Sequence, residues 1–522
     1  MGASPKAAAA AADDEAVTPL PMIQLVSCML VMMTVSFQIN VIWPFLPFMV
    51  DHIRMVDGVV QDNAGFWVGM LASSYFITQT LAAFVWGVLP GKFGLKRCMI
   101  FSSVGVGISL IGFGMSESFW LAFFWRAVGG AANGNAPLVK SYLAKITDKS
   151  NQAKGFSTIS FSWGIGGLIA PTLGGFLSEP LLKYPGLELD PLGPFGIWPY
   201  FLPCLTAAIV CFIAAGSVMV WIPDDHKPEA QYTRVQATDS AASADDVGGD
   251  DDEEDSGADA EERQSLTAGS SGKGDPSDAE ESGSVYSGAS TEKGGHLYVP
   301  SYREILQPQL SGLACMAYLY SSLNFVIFDE MLPLYCKADY AHGGLAWDTT
   351  AIGTALSIGG LVLCFYQPLV YPVITKRLGI VGTYTAGAFT FTFATSLFSF
   401  ITYLTPYGPT AVWTAMIIFR ALYVHSATCM FAGSGILINN SCEMHYVSKA
   451  NAIGQAIASF ARAVFPTVAG GIWAYCQDLG FPWQPHSVYF LLFVLNVGAV
   501  WNALKLPVEL NTPKAQLQEL KP

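Results

Sequence analysis

Charge is what this sequence has least of. Asp, Glu, Lys and Arg together make up 13% of its 522 residues, about half of the ~25% usual in soluble domains. A chain of this length has room for three or four soluble domains, but not the polar surface to clothe them. The little charge is also unevenly spread. Residues 223–300 hold 20 of the 40 acids and 5 of the 26 bases, while the other 444 residues carry 20 acids and 21 bases. The formal charge of −14 therefore belongs to one segment, and a basic footprint for nucleic acid is missing. Also missing is any CxxC pair: the 10 cysteines fall mostly within apolar runs and read as small packing residues, not as a disulfide framework or metal site. No Gly-x4-Gly-Lys-Ser/Thr loop is present, which argues against an ATP-driven pump. The N-terminal MGASPKAAAAAADDEAVTPLP lacks the basic region and apolar core of a signal peptide. No enzyme chemistry, metal or cofactor is expected.

What is there is apolar. Hydrophobic residues reach 52% and mean hydropathy is +0.41. A helix needs about 20 mainly apolar residues to cross the ~30 Å hydrocarbon core. Twelve stretches qualify: 22–50, 64–90, 98–116, 118–143, 155–178, 198–222, 306–335, 349–374, 379–403, 410–438, 449–476 and 486–506. The fold class is an all-α membrane protein with twelve transmembrane helices. With the N-terminus inside, 20 bases flank the spans on the cytoplasmic side and three (Arg54, Lys183, Lys337) on the other, so both termini should be cytoplasmic.

The division is then a tail (1–21), a six-helix bundle (22–222), an acidic segment (223–304), a second bundle (305–506) and a tail (507–522). The acidic segment is too poor in apolar residues to build a core and should be a disordered cytoplasmic linker. Its Ser and Thr among acids also resemble sites for acidophilic kinases.

The two bundles repeat one another. Leu46-Pro47 matches Leu332-Pro333, Gly94 after a basic turn matches Gly379 beside Lys376-Arg377, Arg126-Ala matches Arg420-Ala, and Pro171-Thr matches Pro466-Thr, at offsets of 286, 285, 294 and 295. A parallel repeat of six spans is a transporter architecture with its cavity between the halves. Charges inside such spans are costly and mark function. Here they are Arg126, Arg420, Arg462 and the adjacent Asp329 and Glu330. Neighbours on a helix point about 100° apart, so the two acids cannot face one cavity equally. A desolvated carboxylate is a plausible proton carrier; Asp329, with Glu330 beside it, is expected to form the protonatable site of the second half, and an Arg462 partner would resolve two costs together. His425 could titrate near neutral pH. Asn40, Trp43, Tyr75, Asn133, Asn324, Tyr366 and Arg420 are candidates to line the cavity.

These features resemble a twelve-span major facilitator superfamily transporter of the drug:proton antiporter-like branch. Arg126-Ala-Val-Gly-Gly-Ala-Ala-Asn133-Gly134-Asn135, Ile438-Asn439-Asn440-Ser441 and Arg462-Ala-Val-Phe-Pro466 are similar to fungal members and to plant zinc-induced-facilitator-like proteins. The segment from Gly87 through Gly91 and Gly94 to Lys96-Arg97 resembles the superfamily's inner loop motif, with Gly91 in place of its gating acid. Arg126 to Gly130 resembles the Arg-x-x-x-Gly motif, whose arginine the family links to proton transfer. Gly166, Pro171, Gly174 and Gly175 resemble the antiporter motif of the fifth span. The resemblance implies proton-coupled export of a small organic solute, drug-like metabolite or metal chelate by a monomer in a plasma or vacuolar membrane. The alternatives are proton-coupled uptake and a non-transporting sensor or scaffold.

Overall fold

The computed structural model describes residues 19–56, 64–147, 151–188, 190–224, 302–307, 311–442, 447–477, 479–480 and 483–512. Most of the acidic segment (225–301) and the outer parts of both tails lie outside the described residues, as do the phosphorylation sites expected in that segment.

The described residues form helices and no strands. Helix α1 (Met22–Asn40) ends four residues before Pro44, and α2 (Leu46–Val56) follows a turn over 41–45. Proline lacks the N–H a helix interior needs, so the expected first span is two pieces. Helix α3 (Ala64–Phe93) is 30 residues long, about 45 Å, and outreaches the hydrocarbon core. Next come α4 (Leu95–Gly114) and α5 (Phe119–Ala132), the latter N-capped by Ser118, whose Oγ accepts from the Leu121 N–H at 3.3 Å. Asn133-Gly134 then breaks the fourth span, which resumes as α6 (Asn135–Ile146). Helices α7 (Gln152–Leu177) and α8 (Phe201–Trp221) close the first half. The second half holds α9 (Gly312–Lys337), α10 (Thr349–Phe365), a π-helical turn at Tyr366–Val370, α11 (Tyr371–Phe398), α12 (Pro409–Asn440), α13 (Val447–Gln477) and α14 (Trp483–Leu504).

Ten segments among the described residues are long and apolar enough to cross a membrane. One of them, Thr349–Tyr407, contains two passes hinged at Gly379, and the broken α5–α6 pair adds another. The sum is consistent with the twelve expected crossings in two pseudo-symmetric six-helix bundles.

The repeat is visible in the backbone. Gly94 has φ 81° and ψ 154°, and its repeat mate Gly379 has φ 71° and ψ 176°. A single residue at positive φ turns the chain from one span into the next, a conformation that strains any residue with a Cβ. The stretch after each half's last helix returns to this turn. Asp224 lies 3.8 Å from Lys96, and the Asn511 Oδ1 accepts from the Val381 N–H at 2.9 Å.

The halves meet most extensively along two helix pairs, α3 with α13 and α7 with α10, and α9 also touches α2 and α3. Along the second seam the backbones touch: a Cβ on Gly175 would lie 2.5 Å from the Thr349 carbonyl oxygen and 3.0 Å from the Gly353 Cα. Small residues permit this approach where there is no hydrophobic force between helices in lipid.

Candidate site at the seam between the halves

In the first half, Arg126 is 4% exposed. Its guanidinium carbon sits 4.6 Å over the Tyr75 ring and 5.8 Å from the Phe113 ring centre, and its Nε has no hydrogen-bond partner. The Arg-x-x-x-Gly spacing has a local reason. A Cβ on Gly130, one turn on, would lie 2.1 Å from the Tyr75 carbonyl oxygen, so glycine lets α5 lie against α3 where Arg126 must stack. The Tyr75 hydroxyl donates to Gln38 Oε1 at 3.3 Å and accepts from Asn133 Nδ2 and, at 3.4 Å, from Gln79 Nε2.

In the second half the repeat mate Arg420 is also buried. Its Nη2 donates to the Leu356 carbonyl at 3.2 Å, and the guanidinium lies 5.0 Å over Tyr423. Tyr423 in turn donates to Asp329 Oδ1 at 2.8 Å. Its spacing, three residues after Arg420, puts both on one helix face and was the signal that sequence reading passed over.

The adjacent acids diverge. Asp329 stays within its own half, half-buried beside Tyr423. Glu330 is 0% exposed and both of its carboxyl oxygens lack partners. It points across the seam, where a Cβ on Gly69 of α3 would lie 2.9 Å from Glu330 Oε1 and one on Gly470 of α13 3.5 Å from it. The expected partner does not form. Arg462 Nη2 instead donates to Ser459 Oγ at 3.2 Å, and neither acid enters a described salt bridge with it.

The remaining candidates are distributed more widely. His425 Nδ1 hydrogen-bonds the Tyr366 hydroxyl in the π-helical turn, and Gln367 beside it donates to Ser160 Oγ across the seam at 2.9 Å. Asn324 is taken up inside its own half, donating to Asn496 Oδ1 at 2.7 Å with 2% of its surface exposed. Trp43 is buried in the core, and Asn40 donates to the Ser36 carbonyl on its own helix at 2.9 Å. Gly166 and Gly174 press on the first span, at Ser36 and at the Val41 carbonyl, and the Pro171 carbonyl packs on Gly353. Helix α3 continues through Gly87 and Gly91, and a Cβ at either position would meet nothing within 4 Å. Arg97 is exposed, while Lys96 makes the Asp224 pair.

Two lysines that the sequence suggested only as loop charges bridge the halves at the end remote from Lys96. Lys337 donates to the Pro47 carbonyl at 2.9 Å and pairs with Asp51. Lys183 donates to the Gly175 carbonyl, and to Ser178 Oγ at 3.1 Å and Thr349 Oγ1 at 2.5 Å. Burial pushes the Lys183 ammonium below the usual lysine range, against the opposing pull of Glu179 and Asp348. Arg54, counted with them from the sequence, is buried in α2 with its guanidinium 5.9 Å from the Trp67 ring.

Two repeated bundles of apolar helices meeting at a seam that holds buried charges define a multi-pass membrane transporter, not an enzyme. The chain belongs to the Major Facilitator Superfamily, whose family model matches residues 28–466. It is 27% identical over 487 residues to the Arabidopsis thaliana protein ZINC INDUCED FACILITATOR 1, covering 92% of this chain and 90% of that one. It is 25% identical over 462 residues to the multidrug transporter mfsB of Aspergillus fumigatus, covering 82% and 74%. Among solved structures, a D-xylose-proton symporter shares the fold with a TM-score of 0.63 at 14% identity, covering 94% of this chain and 99% of that one.

Proposed function

We propose that the protein is a secondary active transporter that exports a small organic solute, drug-like metabolite or metal chelate in exchange for protons, with Glu330 as the group that links proton to conformation. The observation carrying this is the pair of unpartnered Glu330 oxygens buried against the opposite half. Withdrawing an ionised carboxylate from water without a partner costs several kcal/mol. Closing this end of the seam over Glu330 is therefore tied to its taking up a proton, and opening hydrates it and lets the proton go. Asp329, held by Tyr423 in its own half, and the embedded Arg126 of the other half are secondary candidates for coupling.

The relation to a transporter named for multidrug transport and the small-residue packing of the fifth span at Gly174-Gly175 support export. The bias of basic residues toward the Lys96 end supports cytoplasmic termini, so the closed Lys337–Asp51 end faces away from the cytoplasm. The two halves are taken as the moving bodies and the acidic segment as their tether.

The test needs no known solute. Spin labels at Leu182 and Tyr340, exposed positions on opposite halves near the closed end, report its opening in nanodiscs by pulsed electron resonance. Between pH 5.5 and 8 the wild-type distance should lengthen, and Glu330→Gln should hold the short distance at both. A Glu330→Gln protein that opens with pH as the wild type does would sink the assignment.

A further inference from the structure

Where α14 nears its end it leaves a groove against the start of α9, a cavity of about 480 Å³ to which the first half contributes nothing. Leu313, Met316 and Tyr320 of α9 form one wall, Gly498 and Trp501 of α14 the other, and Lys505 stands at the mouth. Two contacts close the floor. Asn502 Nδ2 donates to the Leu313 carbonyl at 3.1 Å, and Gly498 admits Tyr320, since a Cβ there would lie 2.8 Å from the tyrosine hydroxyl oxygen. Met316 is 38% and Trp501 64% exposed, so in a bilayer the groove opens toward lipid. It lies at the end of the basic turns, because Asn511, six residues past Lys505, binds the turn at Gly379.

The groove's polar groups are few and unspent. Lys505 enters no ion pair among the described residues, and its ammonium lies 4.7 Å over the Trp501 ring. The Tyr320 hydroxyl has no hydrogen-bond partner among them. Trp501 follows Gly498 by three residues, so a lysine folded back on Trp501 holds its charge about one helical turn above that hydroxyl. Lysine and tryptophan at the end of a span belong to the membrane interface. A cation at the surface and a hydroxyl one turn deeper, between apolar walls, match the phosphate and ester carbonyl of a glycerophospholipid. Its chains then run into the bilayer past the exposed Val494 and Phe490 on the same face of α14. No acid lines the groove to receive a choline or ethanolamine ammonium, so the site favours a headgroup of net negative charge.

We propose that this groove binds one anionic glycerophospholipid, with Lys505 at its phosphate and Tyr320 at an ester carbonyl, bridging α9 and α14. The site lies outside the seam and does not depend on the role given to Glu330.

Delipidated protein in detergent is titrated with dioleoyl phosphatidylglycerol and with dioleoyl phosphatidylcholine, which share their chains, and retained lipid is counted by native mass spectrometry. One phosphatidylglycerol should be retained in about fivefold preference to phosphatidylcholine, the effect of one lysine beside an anionic headgroup. Lys505→Gln should bring the two lipids to parity, whereas Lys505→Arg should keep the preference. Tyr320→Phe should lower retention of both lipids without changing their ratio. Lys92→Gln, at an exposed lysine of the same end in the other half, and Glu330→Gln should each bind as the wild type does. A melt of each variant without lipid checks its fold. Equal retention of the two lipids by the wild type, a preference unchanged in Lys505→Gln, or one lost equally in Lys92→Gln overturns the proposal.

Discussion

At the scale of single residues, what decides this protein is which side chain is left without a partner. Asp329 and Glu330 are neighbours of like chemistry, yet one meets a tyrosine hydroxyl and the other meets backbone of the opposite half. The sequence announced two acids in a span and their divergence by about 100°. It could not say which of them would face the seam, because that depends on the rotation of α9 against α3 and α13. Glycines divide the same way. Gly130→Ala would force a methyl to 2.1 Å from the Tyr75 carbonyl and should destabilise the protein by about 1–3 kcal/mol, seen as a lower melting temperature in detergent. Gly91→Ala meets nothing and sits inside a helix, where alanine is favoured by roughly 1 kcal/mol. It should melt at or above the wild-type temperature. Equal losses in the two variants would contradict the packing argument.

At the scale of elements, the repeat was legible because landmarks recur at nearly constant offsets, and the backbone repeats with them at Gly94 and Gly379. Both glycines combine a positive φ with an extended ψ, a region in which alanine costs about 1–3 kcal/mol. At Gly379 its Cβ would also come 2.6 Å from Asn511 Oδ1, the atom that accepts from the Val381 N–H. Gly379→Ala should therefore lower the melting temperature more than Gly94→Ala, a ranking that a melt of each protein decides. The breaks inside spans were less legible. Pro44 explains the one after α1 and Pro368 lies in the π-helical turn, but membrane helices often keep proline without breaking. Whether the ladder yields depends on neighbours such as Ser160, which holds Gln367 from the other half.

At the scale of the whole molecule, the halves are held together at one end by two lysines and a buried carboxyl. The Lys337–Asp51 pair is partly exposed, with side-chain exposures of 20% and 35%, so its contribution is on the order of 1 kcal/mol. That is enough to shift a two-state ratio about fivefold. Lys337→Met should enrich the long Leu182–Tyr340 distance at pH 5.5 by that order, and Lys337→Met with Lys183→Met should enrich it further. A distribution unchanged in the double variant would show that the lysines do not latch the halves. The sequence by itself determined the membrane class, the six-plus-six repeat and which residues carry embedded charge, because these follow from apolar length, periodic landmarks and the cost of charge in hydrocarbon. Only the tertiary structure decided that Glu330 rather than Asp329 lies in the seam, that Arg462 holds a serine instead of an acid, and that the lysines expected as loop charges bridge the halves. Those outcomes are set by helix rotation and by contacts between residues hundreds of positions apart, which no local pattern along the chain encodes.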